Sequence, residues 1–430
     1  MVDFAHVDAL AAGYHQRGGQ PGLAYGIVTG GELVHAAGLG VRHLGGPAPD
    51  AGTVFRIASM TKSFTASAIL TLRDDGLLKL DDLAEYYVPE LSGWPPVSPD
   101  SARISIRHLL TMTAGFPTDD PWGDRQQGLP LEDFASFLSG GARVNWAPGT
   151  RFEYSNLGYA ILGRVITAIT GLTYPDYIRH RLLKPLGMTR TGYEAQEFEV
   201  PERATGPAGV ARGYRRAPGG WSEVAFDPAG AFAPMGGVFS CVRDLTRWVA
   251  GFAAAFPPGG DDETHPVRRA SRREMQLPQV LTGWAIAPSF PGDGASSPPA
   301  TYGFGLFVDE HPALGRIVSH SGGYPGFGSY GLAPGHRDRR DRPGQQHLRG
   351  HGTAGRPAAR GRRAAGRPGR AREQRGHRLA RSVARDAGRP RGGQPTAPVV
   401  GRRRRAAAVL AERGHGRPVR GATAEDRPGP

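Results

Sequence analysis

Apolar positions at helical spacing open the chain. Phe4, Val7, Leu10, Ala11 and Tyr14 recur every three or four residues and predict an amphipathic helix over residues 3–17. Two strand-like runs follow, Gly22–Val28 and Glu32–Gly38, and Gly30-Gly31 between them can supply the positive φ angles of a tight hairpin. From Ser59 to Arg73 the residues include neither Gly nor Pro, so a helix is expected to open near Ser59. Helical patterns recur at Ile106–Met112, at Leu131–Leu138 and at Leu157–Thr170, the last stopped by Gly171, and another starts near Asp244. After a Pro/Gly-rich loop the pattern changes to short runs that read as strands: Gly303–Val308, Gly315–His320 and Gly328–Ala333. Helix and hairpin first, helices in the middle and strands last predict an α/β (α+β) architecture. One sheet is closed by distant chain segments, and a mainly helical domain is inserted between them. The expected divisions are residues 1–58, the helical 59–241, 242–335 with the last strands, and 336–430.

Charge separates the last of these from the rest. The whole chain carries a formal +14, but residues 336–430 hold 26 Arg, no Lys and 7 acids, and every Phe, Tyr and Trp lies before residue 336. Residues 1–335 carry 27 basic and 32 acidic side chains, so the body is mildly acidic. Cys241 is the only cysteine, which excludes an intrachain disulfide and any cysteine-based metal site. No run approaches the roughly 18 apolar residues of a membrane span, and residues 1–8 lack a basic stretch followed by an apolar one. The expectation is therefore a cytoplasmic protein with no membrane partner, no cofactor and no metal. The sequence does not give the oligomeric state.

Three places carry candidate chemistry. In Ser59-Met60-Thr61-Lys62 the hydroxyl and the amine lie one helical turn apart on one face, and a desolvated amine can take the proton a serine must lose to become a nucleophile. Free N–H groups at a helix start favour developing negative charge there. In Tyr154-Ser155-Asn156 a phenol can relay a proton, and an amide can hold both a lysine and a substrate carbonyl. In His320-Ser321-Gly322-Gly323 a strand ends in glycines, which lets substrate lie alongside and leaves a main-chain N–H for an oxyanion. Each is ambiguous alone. Ser59 and Lys62 also fit an ordinary amphipathic helix, Tyr154 an aromatic leading into a helix, Asn156 a helix cap, and His320 a sheet-end histidine.

In this order and spacing the three motifs resemble the serine β-lactamase and penicillin-binding-protein superfamily, in the branch around class C β-lactamases. That branch also holds D-alanyl-D-alanine carboxypeptidases, D-aminopeptidases and esterases. Its motifs are Ser-x-x-Lys, Tyr-x-Asn and Lys-Thr-Gly or His-x-Gly. Phe55-Arg56-Ile57-Ala58, Leu109–Gly115, Pro148-Gly149 and Met235–Ser240 add to the likeness, which covers about residues 5–335. The resemblance implies a β-lactamase/transpeptidase-like fold, an antiparallel sheet flanked by terminal helices with a helical domain inserted. It implies a hydrolase working through an acyl-enzyme on a small-molecule substrate: an ester, a D-amino-acid amide or peptide, or a β-lactam. Ser59 is then the nucleophile, and Lys62 and Tyr154 share the acid–base work. Asn156 orients Lys62 and the substrate, and the N–H groups of Ser59 and Gly323 bind the oxyanion. His320 stands where most β-lactamases have a permanently charged lysine. A neutral imidazole favours a substrate carboxylate less, which points towards esters or D-configured amides.

The likeness stops near His336, where the implied fold still needs strands for its sheet. An Arg-rich nucleic-acid-binding tail, a solvated linker and out-of-frame translation of a GC-rich gene all fit the composition. Read one base later, Gly335–Arg349 can encode A-T-G-I-G-V-I-A-L-A-N-S-T-Y, a strand with a turn at its end. The expectation is a disordered segment over 336–430, out of frame, with the C-terminal part of the sheet missing. Two alternative functions follow from this segment: a nucleic-acid-associated protein, or an inactive member of the family.

Overall fold

A computed structural model describes residues 4–119, 122–199, 209–256, 263–283, 300–311, 315–334 and, for the backbone, 406–412. The chain divides into a compact unit of residues 1–337 with 404–430, and a second unit, 338–403, which lies outside the described residues.

The first unit begins with α1 (Phe4–Gly18), then the hairpin β1 (Gly22–Thr29) and β2 (Glu32–Gly40), turned by Gly30 and Gly31 with φ of 65° and 92°. A two-residue strand β3 (Phe55–Arg56) leads into a single 3-10 turn, Ala58–Met60, and then α2 (Thr61–Asp74). Every residue of α2 from Thr61 to Leu72 is buried, so this helix is an axis of the core and not an amphipathic surface helix. Its hydroxyls are satisfied within the fold: Ser63 donates to Met60 O, Thr65 to Pro234 O and Thr71 to Ala68 O.

Helices α3 (Ile106–Leu110), α4 (Leu131–Ser139), α5 (Asn156–Thr170) and α6 (Tyr174–Ile178) follow; α5 and α6 pack against α2, and α3 against α5. Helix α5 ends where expected, at Gly171 with φ 69°. The ribbon β4 (Gly213–Ala217) and β5 (Gly220–Val224) follows, then α7 (Ala233–Gly236), β6 (Phe239–Ser240, paired with β3) and α8 (Val242–Ala253). A Cβ on Gly163 of α5 would lie 2.1 Å from Pro234 Cγ, so only glycine lets α5 and α7 approach this closely. Trp248 of α8 stacks on Phe64 with ring centroids 3.9 Å apart and ties the sheet-side helix to α2.

After α9 (Arg269–Met275) come β7 (Val280–Gly283), β8 (Ala300–Tyr302), β9 (Phe307–His311), β10 (Gly315–Tyr324) and β11 (Phe327–Pro334). The expected strand Gly303–Val308 is not continuous. Residues 303–306 turn between β8 and β9, with Gly305 at φ 71° against the Lys62 carbonyl.

Residues Ala406–Glu412 form β12, antiparallel to both β1 and β11, and complete an eight-stranded sheet in the order β2-β1-β12-β11-β10-β9-β8-β7. This corrects the expectation that 336–430 is disordered throughout, and it supplies one of the two strands expected to be missing from the sheet. The facing edges of β1 and β11 are rows of unpaired N–H and C=O groups, and a short run of small and apolar residues pairs with both. The other residues of that segment lie outside the described residues. Among the described residues no single helix is long and apolar enough to cross a membrane, and no cluster of His, Cys, Asp and Glu could hold a metal.

Candidate active site

Ser59 lies in the 3-10 turn just before α2, half-exposed, after a residue in an uncommon conformation: Ala58 has φ 48°. A non-glycine residue there costs on the order of 1–3 kcal/mol, held by its surroundings. Those surroundings are specific. Ile57 N donates to Val238 O at 2.9 Å, Ser329 Oγ donates to Ile57 O at 2.6 Å, and a Cβ on Gly322 would lie 2.2 Å from Ile57 O. Gly322 thus lets β10 lie directly against the turn that presents Ser59.

Lys62 is fully buried. Its Nζ lies 3.0 Å from Ser59 Oγ, 2.7 Å from Asn156 Oδ1 and 2.9 Å from Met235 O. The Tyr154 ring centroid is 4.9 Å from the same nitrogen. The structure therefore brings Ser59, Lys62, Tyr154 and Asn156 together, as the spacing of the motifs suggested. Asn156 is not the helix cap. Ser155 caps α5 by accepting from Gly158 N, which leaves the Asn156 amide for Lys62.

A residue that the sequence did not signal holds this arrangement. Asp119 accepts from the Asn156 and Leu157 N–H groups, each at 2.7 Å, and from the Ser155 hydroxyl at 3.3 Å. A carboxylate on the free N–H groups of a helix start is a strong cap. Here it fixes the residue whose side chain reaches Lys62.

His320 sits on β10 near these groups, its ring centroid 6.3 Å from that of Tyr154. It is only 3% exposed. Nδ1 is 2.6 Å from Ser321 O, and Nε2 is 3.3 Å from the hydroxyl of Tyr302. A carbonyl can only accept, so Nδ1 carries the proton and Nε2 is the acceptor. Burial, and secondarily Lys62 when it is protonated, push the imidazole down to about 3, so it is neutral across the physiological range. Burial likewise raises the Tyr302 phenol well above its ordinary value.

Ser321 and Gly323 are exposed on the same strand. Pairing with β9 ends at Ser319, whereas pairing with β11 continues to Tyr324 and closes across two residues. In such a hairpin the residues next to the turn bond to each other, so Gly323 turns its N–H outward, to the side β9 has left open. Surface clefts of about 610 and 480 Å³ lie elsewhere; neither is lined by Ser59, Lys62, Tyr154 or His320.

The Beta-lactamase family model matches residues 7–338. Protein flp of Staphylococcus aureus (strain NCTC 8325 / PS 47) is 32% identical over 203 residues, 46% of this chain and 40% of that protein. Penicillin-binding protein 4* of Bacillus subtilis (strain 168) is 27% identical over 313 residues, 69% of this chain and 62% of that protein. The chain thus spans less than two thirds of either relative. The octameric penicillin-binding protein homologue from Pyrococcus abyssi superposes with a TM-score of 0.62 at 26% identity, over 77% of this chain and 70% of that one. A class C beta-lactamase shares the fold with a TM-score of 0.59 at 19% identity, over 76% and 86% of the two chains. With a family model matching most of its length, the chain belongs to the Beta-lactamase family.

Proposed function

We propose that the protein is a serine hydrolase that works through an acyl-enzyme on Ser59. The observation that carries this reading is the environment of Lys62 Nζ. A neutral amine has two N–H groups and one lone pair. Nζ lies 2.7 Å from Asn156 Oδ1, 2.9 Å from Met235 O and 3.0 Å from Ser59 Oγ, so in the neutral form Asn156 and Met235 can take its two N–H groups while its lone pair meets the Ser59 hydroxyl. The Ser59 hydroxyl proton then moves to Lys62 as Oγ attacks the substrate carbonyl carbon. The N–H groups of Ser59 and Gly323 hold the oxyanion, a contribution of about 10²–10³ in turnover for a single donor in other hydrolases. Collapse of the tetrahedral intermediate expels the leaving group, which takes a proton through Tyr154 and Lys62. Water then attacks the acyl-enzyme by the reverse route and frees the acid.

The substrate we favour is a small ester or a D-configured amide or peptide, ahead of a β-lactam. The support is His320, which is neutral and uses both ring nitrogens within the protein, and so offers a substrate carboxylate no cation. Hydrolysis of p-nitrophenyl esters by the purified chain, abolished in Ser59→Ala, is the expected result. Turnover that survives in Ser59→Ala contradicts the nucleophile assignment.

For the Arg-rich segment we propose translation out of frame from about codon 335. The observation that supports this is that the family match ends at residue 338, close to where the composition changes. A shifted frame that meets an early stop, or encodes no apolar strand, would refute it. Retention on DNA that depends on salt and disappears on deleting 336–430 would favour the nucleic-acid reading instead.

A further inference from the structure

Arg56 stands three residues before Ser59 and is only 1% exposed. Its guanidinium carbon lies 4.7 Å from the ring centroid of Phe239 and 4.3 Å from that of Tyr324, so the cation is held between two aromatic rings. Nη2 donates to the Asp227 carbonyl at 2.9 Å, whereas Nε and Nη1 have no hydrogen-bond acceptor among the described residues. The Tyr324 hydroxyl donates to the carboxylate of the same Asp227. Taking a guanidinium out of water with an incomplete set of acceptors is costly, and an apolar side chain would fill the space between two rings at less cost. Stability alone does not explain an arginine here.

Its place in the chain does. The two N–H groups that would receive the oxyanion belong to separate segments, Ser59 in the turn after β3 and Gly323 near the end of β10. Arg56 lies three residues before the first, and Tyr324 immediately follows the second. The segments touch through Gly322 and through the Ser329–Ile57 hydrogen bond. The Arg56–Tyr324 contact also spans them, and Asp227 bonds to both of its partners.

We propose that Arg56, acting through Tyr324 and Asp227, is a positioning residue that sets the separation of the Ser59 and Gly323 N–H donors. The inference rests on the assignment of Ser59 and Gly323 made above. An oxyanion hole works only with both donors about 2.7–3.1 Å from the oxyanion, and a misplacement of about 1 Å costs on the order of 10²-fold. Arg56→Lys keeps the charge but loses the planar group that stacks between the rings. It should lower kcat on an activated ester by about 10–10²-fold with KM little changed, because the donors act on the transition state. A boronic acid, which mimics the tetrahedral intermediate, should lose affinity by a similar factor. Tyr324→Phe keeps the stacked ring and removes the hydroxyl with its bond to Asp227, so its loss should be smaller, about three- to tenfold.

Both variants are compared with the wild-type chain for thermal midpoint, kcat, KM and boronate affinity, with fluorophosphonate labelling of Ser59 run in parallel. A loss of kcat and boronate affinity beyond any change in folded fraction supports the proposal. Unchanged kcat and boronate affinity in folded Arg56→Lys, or activity lost only in proportion to unfolding, overturns it. If Arg56→Lys does not fold, Tyr324→Phe decides by the same two readouts. If wild-type Ser59 is not labelled, the nucleophile assignment has failed and the proposal falls with it. A labelled wild type beside an unaffected variant refutes the positioning role alone.

Discussion

Lys62 on α2 and His320 on β10 are both buried basic side chains near the Tyr154 ring, but the fold treats them in opposite ways. Around Lys62 it gathers acceptors: an amide oxygen, a main-chain carbonyl and the Ser59 hydroxyl. Around His320 it supplies one carbonyl, one phenol and the rings of Tyr154, Tyr302 and Phe307, and it keeps the imidazole neutral. Burial alone therefore does not set the role of a basic side chain. Contact with the Ser59 hydroxyl sets Lys62 apart and fits the base role proposed for it, whereas His320 is neutral and bonds within the protein.

The comparison breaks first at Lys62. Lys62→Arg keeps the charge and cannot give up a proton near neutrality, so ester turnover should fall by about 10³–10⁴, the upper range for a lost general base. Near-normal kcat in that variant would remove Lys62 from the base role. Asn156→Ala leaves the amine but deletes one acceptor that directs its lone pair. A loss of about 10–10² in kcat is expected, smaller than for Lys62→Arg. Equal losses would mean that Asn156 does more than orient Lys62.

Asp119→Ala tests the same arrangement one step further out. Losing the cap should cost about 1 kcal/mol of stability, seen as a lower urea midpoint, and a several-fold loss of kcat as Asn156 loosens. Stability lost with kcat intact would show that the cap serves the helix alone.

The smallest effects on turnover concern His320. Its folded value of about 3 lies below the ordinary 6.5, so the folded protein binds fewer protons than the unfolded chain between those values. The stability it contributes is complete above pH 6.5 and is lost as pH falls, at up to about 1.4 kcal/mol per pH unit. His320→Gln should flatten that part of the acid-unfolding curve. It should leave the shape of the pH–rate profile between pH 6 and 9 unchanged, because a neutral His320 has no proton to exchange there. A profile that changes shape in His320→Gln would give the imidazole an acid–base role.

Much of the site was legible because its signals are local. Ser59 and Lys62 share a helical face at i and i+3, and Tyr154-Ser155-Asn156 stands at the start of a helix whose end is marked by Gly171. Their supports were not legible. Asp119 caps a helix that starts 37 residues later, and the spacing between them carries no periodic sign. Ala58 adopts φ 48° in a turn whose Ile57 is held by Val238, Gly322 and Ser329 from distant parts of the chain. Arg56 looks like one more charged residue until Phe239 and Tyr324 close on it. The β4–β5 ribbon was missed because its alternation is broken by Arg215-Arg216 and Pro218-Gly219-Gly220. Strand β12 was missed for the opposite reason: the composition of a long Arg-rich segment hid a short run that could pair.

The most direct test of the central claim, that Ser59 is the nucleophile activated by Lys62, is covalent labelling followed by mass mapping. A fluorophosphonate probe is incubated with the wild-type chain and with Lys62→Arg, and the labelled peptide is identified by fragmentation. The expected result is a single adduct on Ser59 in the wild type, formed at least about 10²-fold more slowly in Lys62→Arg. An active wild-type protein labelled on another residue, or labelled on Ser59 equally fast in both proteins, would contradict it.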